Sequence, residues 1–255
     1  MEFTFDQHSN LNSPIHRWDP RFKLVGFLLL IFAFSFVQEL YILPAIILVT
    51  ITLFTTSKIP VSFILARLRY PSLFLFAVVI SLPFISGSDV LFSIGPLEVN
   101  REGTEAALLI SVRFFSILTL GLILFGTAPL LTSIKAMRAL GLPAILADMT
   151  LLTFRYLFEI GNYLHQMETA LRLRGFQSRR ISRRGFSTLA WLSGSILVRT
   201  YERSEWVYKA MIMRGYGQAA SIEQNTFKAS VRDIIVLCLF VIISVGFVTA
   251  QILVK

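Results

Sequence analysis

Residues 231–254 read VRDIIVLCLFVIISVGFVTAQILV, and this stretch decides the class of fold. It contains no charged residue after Asp233. A helix of about 20 mostly apolar residues is long enough to cross the hydrocarbon core of a bilayer. The sequence therefore predicts a transmembrane helix at this position.

The composition of the whole chain agrees with a membrane protein. Of its 255 residues, 55% are hydrophobic and only 15% are charged, and the mean hydropathy is +0.70. A soluble domain carries roughly 25% charged residues. The first 23 residues include acidic and polar residues and have no early apolar core, so we expect no cleavable signal peptide. A single cysteine, Cys238, excludes a disulfide within the chain.

Four further apolar segments precede the C-terminal one. They are Leu24–Val37, Tyr41–Thr56, Pro71–Ser86 and Glu105–Ala128. Together the five segments predict an all-α membrane protein with about five transmembrane helices. The first two are short and closely connected, so a re-entrant hairpin is the alternative for that pair.

The positions of lysine and arginine predict the orientation. If the N-terminus is cytoplasmic, all 24 of these residues lie on the cytoplasmic side except Arg101, Arg113 and Lys255. Basic residues concentrate in cytoplasmic loops, whereas the opposite orientation would place most of them outside. We therefore expect a cytoplasmic N-terminus and an external C-terminus.

This topology divides the chain into three parts. Residues 1–128 would form an N-terminal membrane domain with four spans, 129–230 a cytoplasmic coupling domain, and 231–255 the last transmembrane helix. The basic charge of the cytoplasmic section follows from topology and suits anionic lipid head groups. It carries no nucleic-acid motif, so the expected surroundings are the lipid bilayer and protein partners, with no nucleic acid.

The cytoplasmic section contains two long amphipathic segments. Asp148–Arg174 and a second helix from about Ser187 to Arg214 each have an apolar stripe at helical spacing. The stripe of the second helix includes Leu189, Leu192, Ile196, Leu197, Tyr201, Tyr208 and Met211. Glu168–Arg172 and Glu205–Lys209 are i,i+4 pairs in the favourable order.

The ends of these two helices repeat each other. Residues 171–176 read LRLRGF, and residues 211–216, 40 positions later, read MIMRGY. In each copy an arginine ends the helix and a glycine follows, which suits the left-handed conformation of a C-terminal cap. An arginine at a helix end can pair with a carboxylate or bind carbonyl groups of a partner. Ordinary capping would explain one copy, whereas two matched copies favour docking to a partner with two equivalent sites.

Several motifs resemble one known family. They are HRWDPRFKL at 16–24, GTAPLLTSIKAMRALGLP at 126–143, FRYLF at 154–158, and the segment from YER at 201–203 to GYG at 215–217. The chain resembles the transmembrane T component of energy-coupling factor (ECF) transporters, most closely the CbiQ type of cobalt uptake. The family's Ala-Arg-Gly signature is retained here only as Arg-Gly, since Leu173 and Met213 take the first position.

The resemblance implies a non-catalytic subunit in a bacterial or archaeal cell membrane. Its partners would be a cytoplasmic dimer of ABC-type ATPases and a membrane-embedded, substrate-binding S component. Arg174 and Gly175 in one copy, and Arg214 and Gly215 in the other, would dock on the ATPases. Leu173, Phe176, Met213 and Tyr216 would support these docking residues. The chain has no phosphate-binding glycine-rich loop, so we expect no bound ATP and no cofactor.

The substrate is expected to be cobalt(II), with nickel or a vitamin as the alternative within this class. His8, His16 and His165 lie in different segments and have no ligand-like spacing, so we assign no metal site to this chain. A membrane-embedded enzyme is the alternative from another class. Its only loose candidates are Asp148, Glu159 and His165, whose spacing suits an ordinary helix.

Arg113 is predicted to lie inside the fourth span. A charge at that depth is costly and usually faces protein or a polar cavity. One interpretation is that its long side chain reaches outward to the head groups. The other is a structural anchor that pairs with a buried carboxylate or with backbone carbonyls.

Overall fold

The computed structural model describes residue 15 and residues 18–85, 90–94, 97–175, 183–217 and 229–254. Within these residues the chain is almost entirely helical, which confirms the predicted all-α membrane class. The helices are α1 (Pro20–Phe36), α2 (Leu43–Ser57), α3 (Val61–Ile85), α4 (Arg101–Thr127), α5 (Leu130–Ala139), α6 (Ala144–Leu173), α7 (Arg183–Met213) and α8 (Val231–Val254). A single 3₁₀ turn, Leu40–Ile42, precedes α2.

Four helical segments of the described residues are long and apolar enough to cross a membrane. They are Leu40–Ser57, Val61–Pro83, Arg101–Thr127 and Val231–Leu253. The first predicted span corresponds to α1, whose 17 residues are at the lower limit of about 17–25 residues for a crossing helix. The structure thus supports a multi-pass protein, and the fifth span stays a prediction.

Two details of the membrane part differ from the sequence prediction. The predicted second and third spans leave a connection at 57–70, but α3 already begins at Val61, and Pro71, the predicted start of the third span, lies inside this helix. Next to this proline, the hydroxyl of Ser72 donates to the carbonyl oxygen of Arg69 at 2.9 Å. The predicted external loop contains a short antiparallel hairpin of β1 (Val90–Ile94) and β2 (Leu97–Asn100).

The first helix begins at a well-defined cap. The Asp19 carboxylate accepts a hydrogen bond from the backbone N–H of Arg21 at 2.9 Å, and Pro20 occupies the first helical position. Both features are typical of helix starts, since the capped N–H has no partner within the helix. The indole of Trp18 donates to the carbonyl oxygen of Asp233 at 3.3 Å. This bond joins the start of α1 to the first turn of α8.

The core of the membrane part is built around α1. Phe27, Leu30 and Phe34 are fully buried on one face of this helix. Phe27 lies 5.3 Å, centroid to centroid, from the ring of Phe240 in α8, and Phe34 meets Phe247 edge to face at 5.2 Å. Aromatic pairs in these geometries contribute beyond their buried area. The first and last helices therefore pack directly on each other.

The described residues separate into two compact units. One contains α1–α5, the hairpin and α8, and the other contains α6 and α7 from Gly141 onward. The core described above belongs to the first unit. The second unit consists of the two long amphipathic helices and is described by itself below.

Candidate functional site

The first Arg-Gly end closes α6. The backbone N–H of Arg174 donates to the carbonyl oxygens of Ala170 and Leu171, and that of Gly175 donates to Arg172 at 3.0 Å. Gly175 has φ +83°, the left-handed conformation that its capping role requires. We call Leu173, Arg174 and Gly175 the first tip.

The second Arg-Gly end has the same geometry 40 residues later. The N–H of Arg214 donates to Ala210 and Met211, and that of Gly215 donates to Ile212 at 2.9 Å, with φ +79° at Gly215. The N–H of Tyr216 also donates to Met211 at 3.0 Å, which completes a Schellman cap. We call Met213, Arg214 and Gly215 the second tip. The predicted sequence repeat is thus a structural repeat as well.

Both tips present their side chains to the surroundings. Leu173 is 85% and Met213 is 82% exposed, and the two arginines are also exposed. Among the described residues, a β-carbon added at either glycine would meet no atom within 4 Å. Exposed apolar and cationic groups at an open helix end are suited to contact with another protein.

The surroundings of the tips differ in one respect. Tyr216 donates its hydroxyl to the Asp148 carboxylate at 3.2 Å, so the second tip lies beside the first turns of α6. The corresponding residue of the first copy, Phe176, lies outside the described residues. The predicted supporting roles of Phe176 and Tyr216 remain predictions.

The two tips lie at opposite ends of α6. The second tip is held next to Asp148 through Tyr216, whereas Arg174 follows the last residue of the same helix. At about 1.5 Å per residue, the helix between Asp148 and Arg174 is about 39 Å long. The two arginines are therefore far enough apart to contact two separate protein subunits.

The basic residues next to the tips are paired within their own helices. Arg172 contacts Glu168 at 2.6 Å, and Lys209 contacts Glu205 at 3.7 Å, which confirms both predicted i,i+4 pairs. Within the described part of the chain, no ion pair is recorded for either tip arginine. The tip arginines thus differ from their neighbours in having no internal acidic partner among those residues.

The apolar stripe of α7 is only partly covered. Leu192, Ile196 and Met211 are half-buried, as expected. Other members of the predicted inward stripe are exposed, among them Leu189, Leu197, Tyr201 and Tyr208. The prediction was wrong for these residues, because the contact of α7 with α6 covers a narrower strip than a full amphipathic face.

The described residues contain no cluster of three or more histidine, cysteine or acidic side chains that could hold a metal ion. His165 is exposed on α6, and His8 and His16 lie outside the described residues. The expectation that this chain holds no metal stays a prediction.

Arg113 contacts the end of α1. One guanidinium nitrogen donates to the carbonyl oxygens of Ser35 at 3.2 Å and Val37 at 3.1 Å. The last carbonyls of a helix have no partner within the helix, and a cation there is also favoured by the helix dipole. The amide oxygen of Gln251, from α8, accepts from the N–H of Gln38 at 2.9 Å. Arg113 of α4 and Gln251 of α8 therefore both bind the backbone at the C-terminal end of α1. Contact of Arg113 with backbone carbonyls is what the anchor interpretation requires.

Replacing Arg113 tests this anchor. We expect Arg113→Leu to reduce stability in detergent by about 1.5–3 kcal/mol, the usual contribution of hydrogen bonds to a charged group. The measurement is the midpoint temperature of thermal unfolding, detected as the loss of monodisperse protein. Arg101→Leu is the control, because Arg101 forms an ion pair with the partly exposed Glu105 on its own helix. Unchanged stability and assembly for Arg113→Leu would contradict the anchor.

The fold and this pair of helix ends define a multi-pass membrane protein with a two-helix unit that ends in two matched Arg-Gly tips. The chain belongs to the CbiQ family, described as cobalt transport protein, whose family model matches residues 11–226. This confirms the family expected from the sequence motifs.

Individual relatives include two energy-coupling factor proteins and one uncharacterized protein. The chain is 28% identical to the energy-coupling factor transporter transmembrane protein EcfT of Limosilactobacillus fermentum, over 95% of each protein. It is 34% identical to EcfT of Ruminiclostridium cellulolyticum over 51% of this chain and 49% of that one. An uncharacterized protein of Methanocaldococcus jannaschii is 25% identical over 94% of this chain and 84% of its own length.

Proposed function

We propose that this chain is the T component of an ECF-type ABC importer. In this role it transmits the closing motion of a cytoplasmic ATPase dimer to a membrane-embedded S component. The observation that carries the proposal is the pair of tips, which share one cap geometry and one sequence pattern at opposite ends of α6. Two equivalent tips suit two equivalent ATPase subunits.

The chemistry of the tips supports docking on the ATPases. Arg174 and Arg214 would place their planar, permanently charged groups against carboxylates or helix-end carbonyls of the partners. Gly175 and Gly215 end the helices without a side chain, so the partner surface can approach the backbone closely. ATP hydrolysis then belongs to the ATPases, and this chain is a non-catalytic subunit without a cofactor.

The exposed face of α7 supports contact with the S component. Leu197, Tyr201 and Tyr208 are spaced by four and seven residues, so they lie on one side of α7, and all three are more than half exposed although they are large and apolar or aromatic. Large exposed aromatic surfaces mark interaction sites, and tyrosine and tryptophan are enriched there. A partner on this face would move with α7 when the second tip is displaced.

The transported substrate is proposed to be cobalt(II). The family description names cobalt, whereas the EcfT relatives carry no substrate in their names. Nickel and vitamins are therefore alternative substrates of the same machinery. The metal would be selected by the S component, since no metal-binding cluster is found among the described residues of this chain.

The test is reconstitution in proteoliposomes with candidate ATPases and a candidate S component from the same organism. We expect the four proteins to co-purify and to accumulate radioactive cobalt(II) only in the presence of ATP. Parallel assays with nickel(II) and with vitamins decide the substrate. Cobalt accumulation by this chain alone, without ATPases, would overturn the proposal and indicate a self-sufficient transporter.

A further inference from the structure

An apolar groove lies between α2 and α4 in the membrane part. It has a volume of about 660 Å³ and is lined by residues between Leu40 and Thr52, in α2 and the turn before it, and by Leu108 and Val112 of α4. Both helices belong to described segments that are long and apolar enough to cross a membrane. The volume is within the range of about 300–1,000 Å³ that is typical of sites for small molecules. We call this feature the α2–α4 groove.

The walls of the groove are apolar and accessible. Leu48, Ile51 and Leu108 are 64%, 54% and 51% exposed. Among the described residues that line the groove, the one polar side chain is that of Thr52, and its hydroxyl donates to the carbonyl oxygen of Val49 in the same helix at 2.8 Å. The hydrogen-bonding capacity of this hydroxyl is thus used within α2. The walls therefore suit an occupant that is itself apolar.

The length of the groove corresponds to one leaflet of a bilayer. From Leu40 to Thr52 the helix rises about 18 Å, at about 1.5 Å per residue. The hydrocarbon core is about 30 Å thick, so one leaflet contributes about 15 Å. Beyond Thr52, Phe54 packs against the core and Ser57 is fully buried, so the groove ends there. A crossing helix of a partner protein would need a contact surface through both leaflets, whereas an acyl chain needs only one.

One end of the groove lies at the level of the membrane surface. Because α2, α3 and α4 are consecutive crossing helices, α2 and α4 run in the same direction and begin at the same surface. Tyr41, next to Leu40, is 88% exposed. Glu105 lies one helical turn before Leu108 on the same face of α4. Tyrosine is enriched at the membrane–water interface and charged side chains avoid the hydrocarbon, so a lipid head group would lie at this end.

An acyl chain gains contacts in the groove that it lacks elsewhere in the bilayer. Lipid tails are as apolar as leucine, so the hydrophobic effect does not favour the groove over the surrounding lipid. Dispersion does favour it, because a chain between two helices has protein atoms on two sides, and an unfilled space would forfeit those contacts. A chain in the groove would therefore be retained longer than lipid on a single helix face.

We propose that the α2–α4 groove binds one acyl chain of a bilayer phospholipid, which packs between α2 and α4 as a structural component of the membrane part. The head group lies at the end marked by Tyr41 and Glu105, and the chain extends towards Thr52. The proposal is independent of the proposed function, because it concerns the packing of two membrane helices and not the tips.

Native mass spectrometry of the purified chain in a mild detergent tests the retention of lipid. With palmitoyl-oleoyl phosphatidylglycerol added, we expect one lipid to stay bound to the wild-type chain. Ile47→Trp places a larger side chain in the groove and should lower the occupancy at least about fivefold. Ile242→Trp is the control, because Ile242 is exposed on α8 and does not line the groove. No lipid on the wild type, or equal occupancy in the two tryptophan variants, would overturn the proposal.

A substitution in the other wall covers the case in which Ile47→Trp does not fold. Leu108→Trp reaches the groove from α4 and should have the same effect on occupancy. Phosphatidylglycerol in large excess should raise the midpoint temperature of thermal unfolding by about 5 °C in the wild type, since a bound ligand stabilises the folded state. The rise should be smaller in Leu108→Trp. A folded Leu108→Trp variant with wild-type occupancy contradicts the proposal.

Photo-crosslinking in native membranes distinguishes a lipid from a partner protein. Leu48→p-benzoylphenylalanine should yield a lipid adduct and no protein adduct, since Leu48 lines the groove. A protein adduct at this position overturns the proposal and assigns the groove to a partner helix. The same probe at Leu197, on the exposed face of α7, should yield a protein adduct if the proposed function is correct. A lipid adduct at position 48 without a protein adduct at position 197 supports the lipid site and contradicts the proposed contact with the S component.

Discussion

Reversing the charge of both tips, by Arg174→Glu together with Arg214→Glu, is expected to abolish transport-coupled ATP hydrolysis. Both arginines are exposed at the ends of their helices, so the protein should insert and fold normally. In the complex, each glutamate would face the acidic or carbonyl-lined surface that the arginine paired with. Losing one partner of a buried charge pair at an interface costs roughly 2–5 kcal/mol, which is about 30-fold or more in affinity for each tip.

The measurement is ATPase activity of the reconstituted complex with and without substrate, together with uptake. The matched control is Arg172→Glu with Lys209→Glu, which makes the same change in net charge close to the same helix ends. Arg172 and Lys209 are paired with Glu168 and Glu205, so their reversal disturbs the helices without removing a docking group. Full uptake by the double tip variant would refute docking through the tips, and equal loss in the control would assign the effect to charge alone.

The parts of this fold that were predictable are those with an unambiguous hydropathy signal. The predicted C-terminal span coincides with α8, and the predicted ends of α6 and α7 fall at Arg174 and Arg214, where an arginine and a glycine stop each helix. These features depend on local chemistry, namely a long apolar run and a C-terminal cap. Local chemistry can be read from one sequence.

The predicted start of the third span differs from the start of α3, because the local structure of the residues there depends on their tertiary contacts. Arg67 and Arg69 lie before the apolar run of the third predicted span, yet both are within α3, where the Arg67 guanidinium stacks 4.6 Å from the ring centroid of Phe63. The prediction places the start of this span at Pro71, although Pro71 lies in the interior of the helix. A proline is compatible with either position, so the sequence alone could not decide between them.

The same distinction applies to the candidate site. The tips were found because each is a contiguous motif that occurs twice. The contacts of Arg203 with Glu159 and of Arg199 with Tyr163 were not predictable in the same way, because they join residues about 36–44 positions apart and a hydropathy pattern does not give the register of two packed helices.

The contact between α1 and α8 gives the second large expected effect. Gly26 lies on α1 where a β-carbon would come within 3.1 Å of the Trp18 ring and 3.3 Å of the Phe240 ring. Trp18 is nearly fully buried, and its ring lies 5.1 Å, centroid to centroid, from that of Phe240. A side chain at position 26 would therefore require one of these two rings to shift, and a larger side chain would require a larger shift.

We expect Gly26→Leu to destabilise the protein by about 1–3 kcal/mol or more, the usual cost of adding volume to a packed core, and to separate α1 from α8. Gly26→Ala should have a smaller effect, since only one carbon must be accommodated. The measurement is the thermal midpoint in detergent, with the tryptophan emission spectrum as a probe of exposure of Trp18. Loss of stability should be accompanied by a red shift of the tryptophan emission maximum, because Trp18 would become exposed to solvent.

Gly246→Leu in α8 is the matched control for this substitution. It makes the same change within an apolar helix, but a β-carbon at Gly246 would meet no atom within 4 Å. Since leucine has a higher helix propensity than glycine, this variant should be neutral or slightly stabilising. A second variant, Gly26→Leu with Phe240→Ala, removes the obstructing ring and should recover part of the lost stability. Equal stability of Gly26→Leu and Gly246→Leu would show that the α1–α8 contact has room for a side chain, and would contradict the packing described here.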